Sequence, residues 1–71
     1  MNTDSLSTDR LLDERAAAQT LSCSVAMMRK WRLFGQGPAY CKIGRLVRYP
    51  ESDLFSFIQS SRVAAKPQEA A

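Results

Sequence analysis

A chain of 71 residues carries one small domain, with a core near the lower limit of what folds without cross-links. Its make-up, 45% hydrophobic and 24% charged, suits a globular protein, and no apolar run in it is long enough to cross a bilayer. The formal net charge is only +3, yet no Asp or Glu stands between Glu14 and Glu51 while seven of the ten Lys and Arg do, which leaves two readings: a solvated basic face, or a surface for an anionic partner.

The N-terminal "MNTDSLSTDR" is polar and has two aspartates where a secretory signal needs a basic start and an apolar stretch. Residues 1–10 are therefore expected to form a flexible tail, and the protein to be cytoplasmic. Asp13 can cap a first helix through "ERAAAQTL", with Leu12 as a staple residue and Ala17, Ala18 and Leu21 on one side. Ala16 is the third residue after that cap, so no capping box closes. Ser22 to Ser24 interrupts the pattern. Ser24 can cap a second helix, "VAMMRKWRLF", which stops at Gly35. Two helices separated by about three residues make a helix-turn-helix candidate.

Projected at 100° per residue, Met28, Trp31 and Gly35 fall on one side of the second helix, and Ala26, Arg29, Lys30 and Leu33 on the other. The cations face away from the core, and Trp31 reads as a core anchor. Arg32 lies at the margin, its stem along Trp31 and its head reaching for a phosphate or a carboxylate. "GQGP" must turn, because Gly37 is permissive and Pro38 fixes its own φ. The following "AYCKIGRLVRY" reads as a β-hairpin. A two-residue Gly44-Arg45 loop pairs Ile43 with Leu46; a three-residue loop pairs Ile43 with Val47 and Lys42 with Arg48. The second is preferred, because it puts Cys41, Ile43, Val47 and Tyr49 on one face and Lys42 and Arg48 on the other. A closing helix starts near Pro50, with Glu51 and Asp53 near its positive end, Leu54, Phe57 and Ile58 at core spacing and Phe55 pointing elsewhere. Residues 63–71, "VAAKPQEAA", lack periodicity and are expected to be a second tail, leaving a domain over 11–62.

With no histidine and no CxxC pair, the chain lacks the usual zinc ligands, and Cys23 and Cys41 are expected to be small, partly buried packing residues. No set of residues supplies a nucleophile, a base and an oxyanion site together, so the expectation is a protein that is not an enzyme, with no cofactor and no small-molecule substrate.

The order of elements, and specifically "WRLFGQGPAYCKIGRLVRYPESDLFSFI", resembles the small winged helix-turn-helix proteins of the excisionase and AlpA-like group, related to the MerR DNA-binding domain. The residues that carry the likeness are Trp31-Arg32, Gly37-Pro38, Tyr40, Lys42-Ile43-Gly44-Arg45, Val47-Arg48-Tyr49 and Ser52-Asp53-Leu54, within a stretch from Leu12 to Ile58. The chain departs from the group at Ala16, where the first helix usually has an acid, and at Val25-Ala26-Met27, which replaces a more polar start to the recognition helix. The resemblance implies an α+β, mainly α fold: a winged helix-turn-helix with a two-stranded β-hairpin wing and a short closing helix. It also implies that the second helix enters the major groove through Ala26, Arg29, Lys30, Leu33 and Arg32, while the wing lies on adjacent backbone or minor groove through Lys42, Gly44, Arg45 and Arg48. Arg29 and Lys30 are the candidates for base edges; Arg32, Lys42 and Arg48 for phosphates; Arg45 for the minor groove; and Gly44 for the tight tip.

The partner expected is double-stranded DNA, bound with a salt slope of roughly −3 to −5. So small a domain buries little DNA, so copies are expected to bind cooperatively, with Leu33, Phe55 and the tails as surfaces for self-association. The role expected by resemblance is that of an excisionase, or recombination directionality factor, which bends attachment-site DNA to promote integrase-mediated excision of a mobile element. The alternative is an AlpA-like transcriptional regulator that binds a promoter.

Overall fold

In a computed structural model that describes residues 9–65, the elements run β1 (Leu11–Leu12), α1 (Glu14–Thr20), α2 (Val25–Leu33), β2 (Cys41–Ile43), β3 (Leu46–Pro50) and α3 (Glu51–Ser60). The expected tails thus lie outside the described residues at 1–8 and 66–71. Three helices and a three-stranded antiparallel sheet, in the order β1-β3-β2, make an α+β, mainly α fold.

Both expected caps form. The Asp13 side chain accepts from the Ala16 backbone N–H at 2.9 Å, and the Ser24 hydroxyl from that of Met27 at 3.0 Å, each satisfying a donor the first helical turn leaves unpaired. The end of α2 closes at Gly35, whose φ of +67° lets Gln36 donate back to the Trp31 carbonyl at 2.7 Å. The end of α1 closes in the same way around Ser22, with Cys23 donating to the Ala18 carbonyl at 2.9 Å. There, however, the left-handed position (φ +56°) is held by a residue with a Cβ. That conformation costs a non-glycine residue about 1 kcal/mol, so Ser22→Gly is expected to raise stability by about 0.5–1 kcal/mol. In a thermal melt this reads as a rise of about 4 °C, and an unchanged midpoint would refute it.

The core is small: Leu12, Ala17, Ala18, Met28, Tyr49 and Leu54 are buried, with Leu21, Val25, Trp31 and Val47 packed against them. Ala17 and Ala18 let α1 approach closely, whereas larger side chains there would overpack it by about 1–3 kcal/mol. Trp31 is a core residue as expected, its ring edge-on to Phe57 with centroids 5.3 Å apart. Leu54 is fully buried and Phe55 is exposed, both as expected, but Ile58 is 39% exposed. Packing covers the stripe through Leu54 and Phe57, and Ile58 lies at its margin.

Two segments depart further from the sequence reading. Residues 9 and 10, expected in the tail, are tied to α3: the Asp9 carboxylate accepts from the Ser52 N–H at 3.0 Å and its hydroxyl at 2.8 Å, and Glu51 donates to the Arg10 carbonyl at 2.8 Å. Pro50, at the N-cap, has no side-chain donor or acceptor to close the helix, so Asp9 does so from a distant part of the chain. Leu11 and Leu12 then pair with Pro50 and Tyr49 as a strand the sequence reading did not contain.

The hairpin takes the two-residue loop. Cys41 pairs with Arg48, Lys42 with Val47 and Ile43 with Leu46, which overturns the preferred three-residue register. Gly44 has φ +63° while Arg45 is not in the left-handed region, the pattern of a tight turn that wants glycine first and follows the strands' own twist. The face assignments change accordingly, because a one-residue slip inverts every side chain. Lys42 shares a face with Val47; Arg48 shares the opposite face with Cys41, Ile43 and Leu46. Cys41 is consequently exposed, not a packing residue, while Cys23 is half-buried and its thiol is pushed up in pKa by burial.

Candidate nucleic-acid interface

The start of α1, one side of α2 from Val25 to Arg32, and the hairpin turn with strand β3 enclose an open groove of about 510 Å³. Its charged lining is five arginines, Arg15 from α1, Arg29 and Arg32 from α2, and Arg45 and Arg48 from the hairpin, against two carboxylates, Asp13 and Glu14. Val25, Leu46 and Val47 supply the apolar floor. Cavities that hold small molecules are mostly apolar and enclosed; a shallow trough lined by guanidinium groups instead suits an extended polyanion.

The geometry is built by a chain of contacts that begins in the core. Tyr49 is 1% exposed, and its hydroxyl accepts from Arg32 Nη1 at 2.9 Å. The Arg32 guanidinium also lies 5.9 Å from the centroid of the Tyr40 ring, and Tyr40 in turn packs on Tyr49. Arg32 Nη2 donates to Glu14 Oε1 at 3.3 Å. Glu14 also accepts from Arg29, whose Nε lies 3.2 Å from each carboxylate oxygen and whose Nη2 lies 2.5 Å from Oε2. The hydrogen bond from Arg29, with the nearby positive charge, holds the Glu14 carboxyl below its ordinary pKa and keeps it ionised. Tyr49 and then Glu14 raise the pKa of Arg32.

No protein-family model matches the chain, and no curated protein matches it.

The site residues named from the sequence therefore divide. Arg29, Arg32, Arg45 and Arg48 come together in the groove. Ala26, Lys30 and Leu33 are exposed on the outer side of α2, as the helical projection requires, but do not line it. Lys42 also lies outside the groove lining, although it shares a hairpin face with Val47, which lines it. Gly44 forms the exposed tip. Of the two ends foreseen for Arg32, the carboxylate is the one observed, and the side chain is 21% exposed.

Arg15 and Glu14 were missed as site residues. Arg15 belongs to the acid-free run of cations, and its place at the start of α1 was the available signal; nothing local shows that α1's first turn opens beside the hairpin. Glu14 stands in the first turn of α1, where a carboxylate is favourable for any helix, so its position alone does not mark it as a site residue.

Proposed function

We propose that the protein binds double-stranded DNA as a winged helix-turn-helix, with α2 as the recognition helix and the β2–β3 hairpin as the wing. The observation that carries this reading is the convergence of Arg29 from α2 with Arg45 and Arg48 from the hairpin and Arg15 from α1 on one groove. Residues separated by up to 33 positions supply the same sign of charge to one surface, and a chain with a merely solvated basic face has no reason to gather them. Lys30 and Leu33 extend the exposed side of α2 toward base edges, and Gly44 permits a narrow wing tip.

Titration of a fluorescent mixed-sequence duplex at several salt concentrations tests it. The logarithm of affinity is expected to fall against the logarithm of salt with a slope of about −3 to −5, through release of condensed counterions. A slope near zero, or no binding at low salt, would defeat the proposal.

Within this reading, the likeness of the Trp31-to-Ile58 stretch to excisionases supports an architectural role in recombination. Leu33 is 77% exposed, Phe34 61% and Phe55 52%, surfaces suited to contact between copies on adjacent sites. Several copies would bend an attachment site for an integrase. An excision assay with the protein supplied and withheld is expected to show excision only in its presence. An unchanged yield, with one or two protected half-sites at a promoter, would favour a transcriptional regulator of the AlpA-like kind.

A further inference from the structure

We propose that Glu14 is a specificity-determining positioning residue of this surface: it grips Arg29 by one edge of the guanidinium and presents the other edge to a base. The inference rests on the DNA-binding reading above. An arginine side chain has two edges able to make paired hydrogen bonds, one formed by Nε and Nη2 and one by Nη1 and Nη2. Glu14 occupies the first. Nη1 makes no hydrogen bond among the described residues, and the side chain is 64% exposed, so the second edge is available outward. That edge matches the two acceptors, O6 and N7, that guanine presents in the major groove.

The grip is itself anchored. Glu14 is the first residue of α1 and is bonded to Arg32, and Arg32 is bonded to the buried Tyr49, so the orientation of an exposed guanidinium is referred back to the core through three side chains. A free arginine on a helix face has many rotamers and can reach whichever phosphate is nearest. A held one offers a single orientation. The Glu14 carboxylate also adds a negative charge to a groove that otherwise attracts any phosphate backbone. Both effects weaken binding to arbitrary sequence more than binding to a matching base pair, and discrimination is the ratio of the two.

Glu14→Gln and Arg29→Lys test this on the full chain, with thermal melts to establish that each variant folds. The probes are a mixed-sequence duplex and duplexes selected by the unaltered protein from a randomised pool. Glu14→Gln is expected to bind the mixed-sequence duplex several-fold more tightly, with a salt slope steeper by about 0.9 as Arg29 becomes free to meet a further phosphate. Its preference for selected over mixed sequence should fall by about 10-fold. Arg29→Lys keeps the charge without the planar fork, so it should lose that preference while the salt slope stays the same. If Glu14 only braced the fold, Glu14→Gln would weaken both probes together and leave their ratio unmoved, which overturns the proposal. So would an unaltered protein that binds duplex without enriching any motif. No duplex binding by the unaltered protein would instead bring down the DNA reading itself.

Discussion

Gly37→Ala is expected to be the most damaging single-methyl change in the protein, lowering stability by about 3 kcal/mol. Two independent costs add at this position. Its φ of +83° is a conformation that costs a residue with a Cβ about 1–2 kcal/mol. A Cβ there would also meet Trp31 at 2.8 Å from its Cβ and 2.9 Å from Cγ and Cε3. Those atoms belong to the root and inner ring of a half-buried side chain packed edge-on to Phe57, so relief requires the core to move and not just a flexible chain end. Total stability for a domain of this size is about 3–8 kcal/mol, so the loss takes a large share of it. A thermal melt should show the midpoint falling by about 12–24 °C. A fall of only a few degrees would mean that the turn repositions without cost and that Trp31 is less firmly set than its contacts indicate.

Reversing the charge at both hairpin arginines, Arg45→Glu with Arg48→Glu, is the change expected to affect DNA binding most while sparing the fold. Arg45 is exposed at the tip, and among the described residues the Arg48 side chain donates only to the carbonyl of its neighbour Val47, at 2.9 Å. No buried partner is orphaned, so the thermal midpoint should move little, as for most surface substitutions. At about 0.1 M salt each phosphate contact contributes roughly tenfold through counterion release, so loss of two should cost about 100-fold or more in affinity for a mixed-sequence duplex. The salt slope should become shallower by about 1.8. Lys42→Glu makes the informative contrast. It lies on the same hairpin but outside the groove lining, and its effect should be about tenfold smaller. Equal loss from Lys42 and from the arginine pair would point to a diffuse basic surface. A double variant that binds within about threefold of the unaltered protein would remove the hairpin from the interface.

Much of the local structure is legible in the sequence because its causes are local. Asp13 and Ser24 cap their helices through side chains that reach only three residues along the chain. Gly35 ends α2 because the left-handed conformation favours a residue without a Cβ. The spacing of Met28 and Trp31 against Arg29 and Lys30 sorts α2 into an inner and an outer face, and burial follows it. The hairpin's existence was equally readable, but its register was not. Sorting apolar from charged side chains favoured the longer loop; turn geometry at Gly44 decided for the shorter one, leaving Ile43 and Leu46 about half exposed. A hairpin with no second layer to cover both of its faces gives hydrophobic sorting little to act on.

By itself the sequence determined where α1 and α2 begin and end, which face of α2 turns outward, and that positive charge is gathered between Glu14 and Glu51. Only the tertiary structure decided that Asp9 caps α3, that β1 pairs with β3, and that Arg15, Arg29, Arg45 and Arg48 share one groove with Glu14 holding Arg29. The physical reason is range. Caps, turns and helical faces follow from atoms a few residues apart, whereas a groove and its ion pairs join segments that only the closing of the core brings together.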